Sequence, residues 1–374
     1  MKLISFGNID KKIISILIGC ISIFISRAIN YFSLFKETKL WNQPILINIY
    51  IAFSKIFTII PFIIYKKRVN IIKDKKNDSS NNSKKNIKLI YKDYYNDNIR
   101  GRWKYLILTS LIFFIQSFIL IRTFEIESNT WILDILITSI LCYLIFKIKL
   151  YKHHYMSIII IILIGFIIDI VLGNLQQDIT ENILYLLLRF LREILYSLHD
   201  VIVKYIIEKK YCSIYEISLS NGIINIILLI IFAIINYYFL NIENFNDYFN
   251  NYNIKELFVG IILMIIQLII FLCTLYTNKN YTPCHIFIIF VFGQLALYMD
   301  FSKNSIIVII CLIFILFFSL IFNEIIEINI FGFSYNTKKN IMMRAETEDF
   351  CTDITESIFD DSINDNEERR IELN

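Results

Sequence analysis

Between residues 189 and 204 an otherwise apolar stretch carries Arg189, Arg192, Glu193, Tyr196, Asp200 and Lys204. On a helix at about 100° per residue, Arg189, Glu193, Tyr196, Asp200 and Lys204 fall within about 80° of one another, with Arg192 and Ser197 alongside. Charge in hydrocarbon is costly and belongs in a bundle interior or a water-filled cavity. There, arginines attract anions and carboxylates hold polar solutes. Arg189 and Glu193, like Asp200 and Lys204, also stand four residues apart and can neutralise each other locally. The stripe therefore has two readings: the lining of a solute path, or a structural ion-pair seam.

Other polar groups stand singly in apolar runs. Arg27 and Asn30 lie late in the first, Lys55 in the second, Asp134 in the fourth and Asp169 in the fifth. Gln116, Gln267 and Gln294 suit contacts between helices. His285 follows Pro283, where a late-starting helix would present free N–H groups to an anion. The residues expected to line a solute cavity are Arg27, Asn30, Asp134, Arg189, Arg192, Glu193, Tyr196, Asp200, His285 and Gln294.

Catalytic signatures are scarce. The sequence has no HExxH zinc pattern, glycine-rich phosphate loop or nucleophile elbow, and the His153, His154 pair lacks the Asp and Cys of a palmitoyltransferase core. The seven cysteines have no paired spacing and read as small buried hydrophobes. No folded basic surface is available to nucleic acid. The expectation is a non-enzyme without metal or cofactor, whose partners are the lipid bilayer and a small-molecule solute.

The elements that must position these residues follow from hydropathy. Of 374 residues 56% are hydrophobic and 19% charged, with a mean hydropathy of +0.59. Ile, Asn, Lys, Tyr and Phe are over-used against 9 Gly and 3 Pro, as in AT-rich coding, so spacing carries more weight than composition. A bilayer core of about 30 Å needs about 20 helical residues. Ten such runs can be drawn: 13–32, 45–65, 105–124, 131–148, 156–173, 183–207, 217–240, 257–276, 284–299 and 305–325. The first has no small-residue cleavage pattern and reads as a retained span.

Loop charge fits this count with the N-terminus inside. Inner segments carry Lys11 and Lys12, the cluster from Lys66 to Arg102, Lys147, Lys149 and Lys152, Lys209 and Lys210, Lys279, and Lys338 and Lys339. Outer connections lean acidic, and only Lys36 and Lys39 run against the pattern. The expected organisation is a cytosolic N-terminus (1–12), a ten-helix membrane domain (13–325) with a disordered basic cytosolic loop (66–104), and an acidic cytosolic tail (326–374).

Five spans in each half would make equivalent helices run in opposite directions, as in inverted-repeat transporters. Three local patterns accompany this order. One span ends in Phe146, Lys147, Ile148, Lys149 and Leu150 and continues through His153 to Gly165. Asp200, Lys204 and Tyr205 precede Ser213, Tyr215, Glu216 and Gly222. Thr282, Pro283 and His285 precede Gly293. In these features the chain resembles the drug/metabolite transporter superfamily, the group of the nucleotide-sugar, triose-phosphate, chloroquine-resistance-type and EamA-like carriers.

The resemblance implies an all-α integral membrane fold of about ten transmembrane helices in two inverted five-helix repeats, with cytosolic ends. It implies a central cavity opened alternately to each side. The implied activity is secondary transport or facilitated movement of a small polar or anionic solute across an endomembrane (Golgi, ER or vacuole) or the plasma membrane. Many members carry a Gly-Glu pair in the second helix, where this chain has Ser54 and Lys55. Two other classes stay open on the residues: a non-transporting multi-pass scaffold or receptor, and a membrane-embedded enzyme.

Overall fold

The apolar runs form helices whose ends are set by identifiable residues. In the computed structural model the chain is described over residues 4–6, 13–31, 44–67, 101–123, 130–172, 179–236, 254–298 and 303–328, with Tyr238 and Thr337. Most of the expected cytosolic loop and nearly all of the expected tail lie outside the described residues. Within them the chain is all-α apart from one short two-stranded sheet. The helices are α1 (Ile14–Tyr31), α2 (Pro44–Ile56), α3 (Arg102–Thr123), α4 (Asp134–Phe146), α5 (Lys152–Leu172), α6 (Ile179–Lys209), α7 (Ile214–Ile235), α8 (Ile254–Asn280), α9 (Ile286–Leu297) and α10 (Lys303–Phe322). Short 3₁₀ turns, Thr130–Leu133 and Pro283–His285, lead into α4 and α9.

Local chemistry explains the boundaries. Ser213 caps α7 by accepting the Glu216 N–H at 3.1 Å, within a Ser-x-x-Glu sequence. α4 stops where Lys147 adopts a left-handed conformation (φ 58°) and returns its N–H to the Tyr143 carbonyl. After α2 the chain makes a turn and resumes, so that the helical run Ile45–Lys67 covers 23 residues.

Five helical runs among the described residues are long and apolar enough to cross a membrane: Ile45–Lys67, Lys152–Leu172, Ile214–Ile235, Gly260–Asn280 and Asn304–Phe322. Shorter apolar helices cover Ile14–Ser26, Thr130–Phe146 and Pro283–Leu297. The surface supports the same conclusion. Leu17, Ile21, Ile60, Ile64, Leu163, Phe166, Ile170, Ile227, Ile313 and Phe314 are exposed, while Ser54, Lys55, Thr109, Ser110, Gln116, Ser197, Asn221 and Asn225 are buried. Water favours the opposite distribution. Apolar outside and polar inside is the arrangement of a protein embedded in lipid.

α1 packs on α8 and α9, α2 on α7 and α8, α3 on α6 and α7, α4 on α6, and α5 on α10. One apolar core (Ile135, Ile161, Phe287, Leu312) joins α4, α5, α9 and α10; another (Leu106, Ile206, Ile217, Leu275) joins α3, α6, α7 and α8. Polar contacts add to them. Asn221 Oδ1 accepts from Ser110 Oγ at 2.7 Å, tying α7 to α3.

The first residues of the chain meet the start of its tail. Strand β1 (Ile4–Phe6) pairs antiparallel with β2 (Ile326–Ile328), in the register Ile4 with Ile328 and Phe6 with Ile326. The segment before α1 and the segment after α10 are therefore joined at their roots.

Candidate functional site

Lys55 occupies the middle of the helical run Ile45–Lys67. α7 reaches α2 here because residue 222 is glycine: a Cβ on Gly222 would lie 3.0 Å from Lys55 Cβ and 3.1 Å from the Ala52 carbonyl and Ile56 amide. Lys55 Nζ sits 3.2 Å over the centre of the Phe113 ring on α3 and 4.0 Å from that of Phe271 on α8. The residue is 1% exposed, and its ammonium has no hydrogen-bond acceptor among the described residues. Desolvated cation–π contacts contribute about 2 kcal/mol. Moving an ammonium out of water costs several kcal/mol. The aromatic walls therefore do not offset the burial of a charged ammonium, and no described residue supplies a counter-ion.

Further buried groups without partners lie on the helices that pack around α2 and α3. His199 on α6 lies with its ring 6.1 Å from that of Phe113; its Nδ1 is 3.1 Å from Asp200 Oδ1, while Nε2 has no partner among the described residues. Gln116, one turn beyond Phe113, is buried with both amide atoms unpartnered there. On α7, Ser218 Oγ, Asn221 Nδ2 and Asn225 Oδ1 are also without partners among the described residues, at a spacing that places them on one face. Lys55 in the run Ile45–Lys67, Phe113 on α3, His199 on α6 and Phe271 on α8 each lie about ten residues from one end of their helical run. That is roughly 15 Å, half the depth of a bilayer core.

No family model and no curated protein matches the chain. Its function must therefore be read from these groups.

The residues singled out in the sequence fall in four places, of which the turn holding His285 is the last. Asp134 meets α6 through Ser197, on the helix that carries Arg189, Arg192, Glu193, Tyr196 and Asp200. Asp134, the first residue of α4, accepts from Ser197 Oγ and, at 3.3 Å, from Thr138 Oγ1. Glu193 Oε1 accepts from Arg192 at 2.6 Å and 3.2 Å. Arg27 and Asn30 fall toward the C-terminal end of α1, their side chains outside what is described. Gln294 is half-buried on α9.

Two expectations change. Lys204 does not pair with Asp200. Its Nζ donates to the Asn278 and Tyr281 carbonyls at 2.8 Å and 2.6 Å and contacts Glu208 at 2.9 Å, because the end of α8 offers unpaired carbonyls within reach. The turn before α9 closes on itself: the His285 N–H donates to the Thr282 carbonyl at 3.1 Å, and His285 Nδ1 lies 3.0 Å from Thr282 Oγ1. That amide is not free for an anion.

Sequence reasoning noticed Lys55 but left it outside the candidate set, took Gln116 as a contact between helices, and passed over His199, Phe113 and Phe271. The available signal was a lone lysine at the centre of an apolar run, where charge is costly. The aromatic walls come from α3 and α8, whose meeting with α2 is a tertiary fact.

Proposed function

We propose that this protein is a solute carrier that moves a small anionic or polar solute across a membrane by alternating access. Lys55 carries the reading, as a lysine near the middle of an apolar helical run for which no described residue supplies a counter-ion, beside two aromatic rings. An anion entering there gains a charge-assisted partner and relieves the burial of the ammonium.

Helix packing supports two related halves. Matching helix n with helix n+5 exchanges α1–α9 with α6–α4, α1–α8 with α6–α3, and α2–α8 with α7–α3, and leaves α2–α7 and α5–α10 unchanged. Halves of five helices related in this way are inverted with respect to each other, the arrangement that lets one rock against the other around a fixed site. The pairing of β1 with β2 supports an even number of crossings, since it joins the segment before α1 to the segment after α10. On loop charge their side is the cytosol.

The second reading, a non-transporting scaffold, draws on α6. Arg192 and Glu193 satisfy each other and Lys204 caps α8, so part of the charged stripe serves structure. Counterflow in proteoliposomes separates the two, using nucleotide sugars, sugar phosphates, amino acids and peptides as the panel. Exchange of an anionic member that is lost in folded Lys55→Met supports the carrier. Folded wild-type protein that exchanges none of them favours the scaffold.

A further inference from the structure

We propose that His153, His154 and Glu324 bind a divalent transition-metal ion of the zinc class where the start of α5 meets the end of α10. Neither this site nor its test depends on the carrier reading. The two histidines open α5 and Glu324 follows α10, and the packing of these helices brings them together. One ligand atom from each residue lies within 4.8 Å of the others, and His153 Nε2 is 3.2 Å from Glu324 Oε1. Tetrahedral zinc, with bonds of about 2.0 to 2.2 Å to nitrogen and oxygen, spaces its ligand atoms roughly 3.3 to 3.5 Å apart. The His153–Glu324 edge already has that spacing. His154 would close by roughly 1 to 2 Å.

The surroundings favour a ligand. His153 is 4% exposed; its Nε2 has the Glu324 carboxylate beside it without hydrogen-bond geometry, and its Nδ1 has no hydrogen-bond partner among the described residues, which is costly for a buried imidazole. The His154 ring lies over it with centroids 4.0 Å apart and meets the Phe322 ring edge-on, so both imidazoles are held at one spot. His154 Nδ1 accepts the Tyr151 N–H at 3.0 Å, which places that ring's proton on Nε2. Binding a metal through this ring frees the Tyr151 amide or releases that proton.

Glu324 adds a backbone observation. It ends α10 at φ 57°, with its N–H on the Ile321 carbonyl and the Ile325 N–H on the Leu320 carbonyl, both at 3.0 Å. Glycine is favoured at this position of such a turn. A carboxylate held there accepts backbone strain in return for its placement beside the histidines. Two imidazoles and one carboxylate select zinc or cobalt over magnesium and calcium, which take oxygen ligands.

The test uses tag-free full-length protein in detergent, stripped with a chelator, desalted and dialysed against Zn²⁺ or Co²⁺ in excess Mg²⁺ and Ca²⁺. One Zn²⁺ per chain is expected. His153→Ala and Glu324→Gln should weaken it by more than the roughly 10- to 100-fold that follows loss of a supporting group. Bound Co²⁺ should lack the near-ultraviolet band of thiolate ligands. Glu324→Gly removes the strain and the ligand together, so it should melt no lower than metal-free wild type yet lose the ion. That variant separates loss of the site from loss of the fold. Absence of saturable Zn²⁺ binding, a thiolate band, or wild-type affinity in Glu324→Gly would overturn the proposal.

Discussion

Lys204 on α6 donates to the carbonyl oxygen of Tyr281 at 2.6 Å, across 77 residues of chain. The same ammonium holds the Asn278 carbonyl, and Asn278 Nδ2 returns a bond to the Asp200 carbonyl at 2.7 Å. Together these contacts cap α8 and fix the turn before α9. Lys204→Met should destabilise the protein by about 1 to 3 kcal/mol, since buried carbonyls lose a charged donor. The measurement is the unfolding midpoint, with hydrogen exchange over residues 276–286. Lys204→Arg should retain most of the protection.

Gly222 marks where α7 lies against α2. A methyl group there would press on the backbone of Ala52 and Ile56, which cannot move aside cheaply, whereas at Gly260 it would meet only the ring of Tyr50 at 3.2 Å. Gly222→Ala should cost about 1 to 3 kcal/mol, the range for overpacking. Gly260→Ala should cost less. Thermal unfolding of the two variants in one detergent decides between them.

The Arg192–Glu193 pair is mostly buried, so removing either partner strands the other. Arg192→Gln and Glu193→Gln should each lower the melting temperature. The double variant should recover a coupling of about 0.5 to 3 kcal/mol. Additive losses would show that the pair contributes no coupling.

Cys212, in the link between α6 and α7, titrates outside the helices. Burial pushes its thiol up to about 11 from 9.0, with Arg102 opposing and Glu216 reinforcing the rise. Alkylation of this cysteine at neutral pH should be slow and should quicken about tenfold per pH unit toward pH 11. Glu216→Gln should quicken it at a given pH, and Arg102→Met should slow it. Between about pH 9 and 11 the unfolded thiol ionises while the folded one does not, so stability should decline over that window.

Reporters fused to the two ends should face the same compartment, since β1 pairs with β2. On the cytosolic assignment, the acceptor triplets that begin at Asn77, Asn81 and Asn280 should carry no glycan. A mass shift removed by an N-glycosidase and mapped to any of them would reverse the orientation.

Helix positions were legible because hydrophobic spacing reports them directly: the ten apolar runs and the ten helices among the described residues agree to within a few residues at most ends. The stripe on α6 was legible as a stripe, since helical period alone sets it. Its pairings were not. The carbonyls that attract Lys204 lie 74 to 77 residues away, and no periodicity on α6 encodes them. Nor does spacing reveal that His153 meets Glu324, or that Phe113 and Phe271 wall Lys55. Gly222 was visible as a residue, but its purpose depends on which helix faces it.

The packing of α1 carries a consequence for biogenesis. Its main partners are α8 and α9, and Ser15 Oγ meets Thr277 Oγ1 at 3.4 Å across 262 residues of chain. A ribosome adding about 5 to 20 residues per second needs on the order of 10 to 50 s to supply that partner. Through that interval α1 lacks its main partners among the described residues. It must be kept by the insertion machinery or wait alone in lipid, and a truncated chain ending before α8 would leave it an orphan for quality control to recognise.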